Sequence, residues 1–202
     1  MSDGFSSIFR KTDMPAACGK YLSRVFGIFS EQIVRFWASD SRSPYEDLGR
    51  PTLRKPGETT GYTLDFTLRR KDTGKIYVAE QKCEIEFQNY KYFILTDVKQ
   101  LEHHSKDAFL AFLEVASGNE NQRTFVGREE LQTNGAILIW GAATPEGKRA
   151  VKNAKGFFDI LTIEDMVRDL ISWDNKPYRE FMEQRRAWAN EMFDGLLQSQ
   201  SA

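Results

Sequence analysis

The stretch Gly61 to Phe87, GYTLDFTLRRKDTGKIYVAEQKCEIEF, constrains the fold most, because two runs of period-two alternation flank a turn signal. The turn signal is Asp72-Thr73-Gly74. The first run puts Tyr62, Leu64, Phe66 and Leu68 on one face and Thr63, Asp65, Thr67 and Arg69 on the other. The second puts Tyr77, Ala79, Gln81, Cys83 and Ile85 opposite Ile76, Val78, Glu80, Lys82 and Glu84. A one-residue slip turns a whole strand over, so apolar faces must match. A loop of Asp72-Thr73 pairs Lys71 with Gly74, Phe66 with Ala79 and Leu68 with Tyr77. The same register sets Asp65 directly across from Glu80. Two alternatives stay open: a three-residue loop ending in Gly74 with a bulge, and a two-residue slip pairing Asp65 with Lys82 as a plain ion pair.

Carboxylates facing each other across a ladder destabilise it. A bound cation removes that penalty. Lys82 lies two residues beyond Glu80 and so shares its face. Two carboxylates and a lysine on one hairpin face can therefore hold a divalent cation beside a proton acceptor. The competing reading is a solvated charged face. Acid-x-Lys triplets also occur at Asp97, Glu146 and Asp174, but only that of Glu80 lies in a strand-like run with an acid on the preceding strand.

At these residues the sequence resembles the PD-(D/E)XK phosphodiesterases, the restriction-endonuclease-like superfamily. The acid on the first strand is Asp65, and the acid-x-Lys element is Glu80-Gln81-Lys82. Leu64 stands where that pattern has proline. The order helix, three strands, helix, strand over roughly residues 18 to 165 also fits. The resemblance implies an α/β fold with a restriction-endonuclease-like core, a central mixed β-sheet flanked by helices. It implies a nuclease that hydrolyses DNA phosphodiester bonds with Mg²⁺ or Mn²⁺. Asp65, Glu80 and Lys82 would be catalytic, and the metal would be held by Asp65, Glu80 and the backbone carbonyl of Gln81. Such metals take one or two carboxylates plus waters and phosphate. Lys82 would orient the water, stabilise developing charge or accept a proton. The first helix of the superfamily often adds an acid, here Glu31, and some exonuclease branches carry a Gln-x3-Tyr pattern, here Gln88 to Tyr92. Glu31 lies about 200° around its helix from Phe29, on the polar face. Glu84 continues the face of Lys82, where it could bind a second metal as an accessory residue or simply face solvent, and the solvent-facing reading is taken. The alternative function is a non-catalytic nucleic-acid- or protein-binding module on the same fold.

The 202 residues carry 41% apolar and 28% charged side chains, which suits one soluble domain, residues 16–202, after a flexible tail of residues 1–15. No apolar run approaches the roughly 20 residues that span a bilayer, and the first residues lack a signal-peptide core, so no membrane partner is expected. Cys18 and Cys83 suit a reducing cytoplasm. The net charge of −1 is no nucleic-acid signature, so a nuclease needs local basic patches. Candidates are Arg50, Arg54 and Lys55; Arg69, Arg70 and Lys71; and Lys148, Arg149, Lys152 and Lys155.

Elsewhere, helices are expected at residues 18–39, from a Ser105 cap to Ala116, from Thr144-Pro145 to Lys155, after a Thr162 cap, and over residues 177–197. Pro51 to Lys55 reads as a short strand, and Gly135 to Trp140 as a strand buried on both faces beside a parallel neighbour. Phe157 to Leu161 reads as another strand. Ser41 to Arg50 and Ser117 to Asn134 read as loops, and Gln88 to His104 is ambiguous. His103 and His104 have no partner at ligand spacing and are read as structural or exposed. The apolar stripe of the last helix suits core packing or a homodimer interface.

Overall fold

The computed structural model describes residues 10–11, 15–87, 92–119 and 121–198. In chain order the elements begin with β1 (Arg10–Lys11), α1 (Ala16–Ser39), β2 (Tyr45–Asp47), β3 (Pro51–Arg54), β4 (Tyr62–Thr63), β5 (Phe66–Arg70) and β6 (Ile76–Lys82). There follow β7 (Glu86–Phe87), β8 (Ile94–Leu95), a 3₁₀ turn (Val98–His103), α2 (Asp107–Ala116), β9 (Arg123–Val126), β10 (Glu129–Leu131) and β11 (Ala136–Trp140). The chain ends with β12 (Ala142–Ala143), α3 (Pro145–Lys155), β13 (Asp159–Thr162), α4 (Ile163–Ser172) and α5 (Lys176–Gln198).

The central sheet has five strands in the order β13-β11-β6-β5-β2. It is mixed: β11 runs parallel to β6 and β13, whereas β5 is antiparallel to β6 and β2. Alternation along the strands builds two cores. On one face Phe66, Leu68, Tyr77 and Ala79 meet Ile33, Val34 and Trp37 of α1 and Met166 and Leu170 of α4. On the other, Val78, Leu138 and Trp140 meet Phe109 and Phe112 of α2 and Val151 of α3. The molecule is thus an α/β fold in three layers. All five residues of β11 are buried, as its unbroken apolar run requires at the middle of such a sandwich.

The β5–β6 register is the expected one, with Phe66 across from Ala79 and Leu68 from Tyr77. The turn differs from the expected two-residue loop. Lys71 gives its N–H to Pro44 instead of to Gly74, and Gly74, at φ 70°, donates to Arg70 O at 2.8 Å. The first strand is also not continuous. Tyr62–Thr63 pairs with β3 in a separate sheet, of order β10-β9-β3-β4, and the chain bends at Leu64-Asp65 before joining the central sheet. Leu64 consequently packs in the α2-side core and Phe66 in the α1-side core, although simple alternation put them on one face.

Other boundaries are corrected by pairing that local sequence does not signal. The Ser41–Arg50 segment contains β2, which pairs with β5. The Ser117–Asn134 segment contains the β9–β10 hairpin, which adds to β3. Arg10–Lys11 is a strand beside β7 rather than part of a free tail. Lys106, not Ser105, is the N-cap residue of α2. The Thr144 and Thr162 caps form as expected, each hydroxyl accepting a backbone N–H three residues on. On α5 only the first turns pack inward, where Tyr178 and Phe181 meet Phe36 of α1. Trp188, Met192 and Leu197 are exposed, so core packing does not account for the rest of that stripe. Among the described residues no helix is long and apolar enough to cross a membrane.

Candidate active site

The hairpin delivers its charged residues to the carboxyl end of β6, on the face covered by α2. Register alone would have placed Asp65 in the ladder. Instead the bend at Leu64-Asp65 frees its side chain to replace a backbone partner, and Asp65 Oδ2 accepts the Gln81 N–H at 2.9 Å. The other oxygen, Oδ1, lies 3.4 Å from Arg50 Nη2, while Arg50 Nε donates to Leu64 O at 3.3 Å. Asp65 is thereby fixed at the sheet end with its side chain 16% exposed.

Glu80 is 7% exposed. Its Oε1 accepts from Lys82 Nζ at 2.6 Å, and its Oε2 is buried without a hydrogen-bond partner. Burial pushes its acidity towards the protonated form, and the Asp65 charge adds to that shift; Lys82 opposes both. A buried carboxylate oxygen without a donor carries a desolvation cost that a cation or a proton would offset. The plain Asp65–Lys82 ion pair of a slipped register does not form; Lys82 pairs with Glu80 on its own strand.

Glu80 and Lys82 open into a cavity of about 370 Å³. Glu84, His103, His104, Lys106 and Phe109 also line it. Lys82 Nζ sits 5.4 Å from the Phe109 ring centroid, a cation–π contact with α2. Glu84 does not simply face solvent: it is half-buried at this cavity and burial raises its pKa. His104 is pushed down to about 4, first by burial and then by the Lys82 and His103 charges, so it is a neutral imidazole near neutral pH. Its Nε2 is buried without a partner.

The remaining sequence candidates are not gathered here. Glu31 pairs with Arg35 at 3.4 Å on α1, a helix on the opposite face of the sheet. Gln88 lies outside the described residues. Cys83 packs against the α1-side core, and burial pushes its thiol pKa up. Of the basic candidates, Arg50 pairs with Asp65, Arg69 with Glu46, Arg70 with Asp72, Lys148 with Asp165 and Arg149 with Glu146. Sequence reasoning missed Arg50, His103 and His104 as neighbours of the hairpin. No local pattern marks them, because a bend and a 3₁₀ turn bring them in. A larger cleft, near 960 Å³, is lined by Ser117, Gln122, Glu130 and Asn134 at the opposite end of β6 and β11, away from these carboxylates.

Among the described residues no group of three or more His, Cys, Asp or Glu side chains is gathered as a metal cage. Asp65 and Glu80 are two carboxylates, within the one or two that Mg²⁺ takes alongside water and phosphate. The orphaned Glu80 Oε2 and the repulsion from Asp65 fit a hard cation at Glu80. Comparisons of the chain with protein-family models, with curated proteins and with solved structures return no match.

Proposed function

We propose that this chain is a metal-dependent phosphodiesterase that hydrolyses nucleic acid, DNA in the first instance, on a restriction-endonuclease-like core. The observation that carries this reading is Glu80: 7% exposed, one carboxylate oxygen unpartnered, its acidity weakened by burial and by Asp65, and a lysine ammonium 2.6 Å away. Most buried polar groups have a hydrogen-bond partner, so an unpartnered Glu80 Oε2 leaves room for a cation or a proton.

Asp65 and Glu80 would hold Mg²⁺ or Mn²⁺, with the Gln81 backbone carbonyl as the ligand the superfamily pattern adds. The ion would polarise the phosphate and lower the pKa of water at the site. The Gln81 N–H keeps Asp65 oriented, so its carboxylate costs little reorganisation. Lys82, beside Glu80, would meet charge developing on the phosphate, steer the attacking water or take its proton. Burial around Glu80 and Phe109 limits bulk water, which strengthens each of these electrostatic contacts.

A second reading is a binding module with no catalysis. It is favoured by the mutual pairing of the four charges, Arg50 with Asp65 and Lys82 with Glu80, and by the net charge of −1. Titration of Mg²⁺ and Mn²⁺ against plasmid and single-stranded DNA separates the two. The enzyme reading expects metal-dependent cleavage that Asp65→Asn and Lys82→Ala both abolish, with Lys82→Ala retaining metal affinity. Retention of DNA with no cleavage at any metal concentration leaves the binding module.

A further inference from the structure

The cavity beside Glu80 lies against the start of α2, where Ser105, Lys106, Ala108 and Phe109 line it. α2 runs for 10 residues and no side chain caps it, because Lys106 stands at the N-cap and a lysine has no acceptor to offer. Ser105, the cap that the sequence suggests, sits one residue further out and faces the cavity. The N–H groups of Phe109 and Leu110 turn back to Lys106 O, at 2.9 and 3.1 Å. The donors that helix geometry leaves at this end are those of Asp107 and Ala108. Backbone donors and the positive end of the helix dipole together favour an anion.

Positive charge is gathered at the same turn. Lys82 Nζ lies 5.4 Å from the ring centroid of Phe109, the third residue of α2, and Lys106 stands at the cap. The dipole opposes ammonium groups at a helix N-terminus, so this arrangement suits a ligand of opposite sign. Asp107, the acid of the first turn, is exposed and does not line the cavity, whereas Glu84 does. A second, independent sign of a ligand is Glu80. It is 7% exposed, lines the same cavity and keeps Oε2 without a partner. Its Oε1 is 2.6 Å from the ammonium that meets Phe109, so one lysine touches both Glu80 and the first turn of α2. A group that carries negative oxygens both to the helix and to a metal at Glu80 is a phosphoryl group. Near 370 Å³, the cavity is at the lower end of the range for small-ligand pockets.

We propose that the first turn of α2 is the phosphoryl seat of this site: the backbone N–H groups of Asp107 and Ala108, with the Lys106 ammonium, hold the non-reacting oxygens of a phosphate that faces Glu80, whether it ends a strand or lies within one. This rests on the phosphodiesterase reading for its meaning as a substrate site.

The test uses full-length Glu80→Gln protein in chelator, which has neither metal nor the charge that would repel a phosphate. Fluorescence anisotropy is read with short labelled single-stranded DNAs that carry a 5′-phosphate, a 3′-phosphate or hydroxyls at both ends. Adding Asp107→Pro removes one donor and keeps the helix, since proline is favoured at the first helical position and Lys106 is already extended, at ψ 141°. It should bind about 10- to 150-fold more weakly than Asp107→Ala, which lacks the acid equally but keeps the N–H; that is the range for one hydrogen bond to a charged group. Lys106→Gln, which leaves the helix start as it is, should also weaken binding, and inorganic phosphate should displace the strands. Equal affinity of Asp107→Pro and Asp107→Ala overturns the proposal, as does failure of every strand to bind. A terminal phosphate that tightens binding, with the gain lost in Asp107→Pro, puts a strand end in the seat. Equal binding of the three strands, all weakened by Asp107→Pro, puts an internal phosphate there. Metal-dependent cleavage is scored separately in protein that keeps Glu80. If it occurs and Asp107→Pro cleaves as Asp107→Ala does, the seat falls and the phosphodiesterase reading stands. If binding depends on the N–H and no cleavage occurs, the catalytic reading falls and the seat stands.

Discussion

Glu80→Gln isolates the carboxyl charge on which the site depends. The amide keeps the size of the side chain and an oxygen that accepts from Lys82, now 2.6 Å from Glu80 Oε1. What it removes is a charge that burial and Asp65 both disfavour. The folded-state pKa of Glu80 is raised above the ordinary 4.5. The protonated form is therefore the one that the fold favours, and that contribution is present below the ordinary value and lost as pH rises through the raised one. At low pH wild type and Glu80→Gln should melt together. As pH rises towards 8 the wild type should fall behind. A like-charge pair across neighbouring strands costs about 0.2–1 kcal/mol. At about 2–4 °C per kcal/mol for a chain of this size, the variant should melt up to about 4 °C higher without metal. Mg²⁺ should reverse the order. Saturation about 100-fold above the dissociation constant adds about 2.7 kcal/mol to the wild type, some 5–11 °C, and little to the variant. Differential scanning fluorimetry over a pH series, with Mg²⁺ or with chelator, reads both effects. The reasoning is refuted if Glu80→Gln destabilises the metal-free protein at pH 8 by about 3–5 kcal/mol, the cost of breaking a buried ion pair. Lys82, 23% exposed, and Glu80 would then be a structural pair.

Two further outcomes are expected. Asp65→Asn keeps an oxygen for the Gln81 N–H and should change metal-free stability by no more than about 1 kcal/mol, whereas Asp65→Ala leaves that N–H unpaired and should cost about 1–3 kcal/mol in urea unfolding. Both should lose the Mg²⁺-induced shift, and a retained shift in either would remove Asp65 from the metal site. The exposed stripe of α5, with Trp188, Met192 and Leu197, predicts a homodimer. Arg185 and Arg186 precede Glu191 and Asp194 along the helix, so antiparallel pairing of two copies sets unlike charges together. Light scattering should give twice 23.3 kDa, and a monomer at high concentration refutes it.

The amino-acid sequence by itself excluded any one-residue slip of β5 against β6, because that would part Phe66, Leu68, Tyr77 and Ala79 from their common buried face; a two-residue slip keeps those faces, and the tertiary structure decided against it. It also determined that β11 is an interior parallel strand and that Thr144 and Thr162 begin helices, since these depend on runs of composition and on a hydroxyl three residues from an N–H. The pairing of an acid on the hairpin with Glu80 and Lys82 was legible for the same reason: side chains two apart share a face. Only the tertiary structure decided how those charges are used. The bend at Leu64-Asp65 comes from β3 pairing with β4 while β5 pairs with β6, a competition between two sheets that no local pattern reports. It turned Asp65 from a ladder residue into an acceptor for the Gln81 N–H and brought Arg50 to it. β2, β9 and β10 were likewise invisible, being short strands stabilised by partners remote in sequence rather than by their own alternation. The pair His103-His104 reads from sequence as structural or exposed, and His103 is exposed while His104 packs against Phe109 and Trp140; which of the two is which was decided by chain folding, which brings those rings in from separate elements.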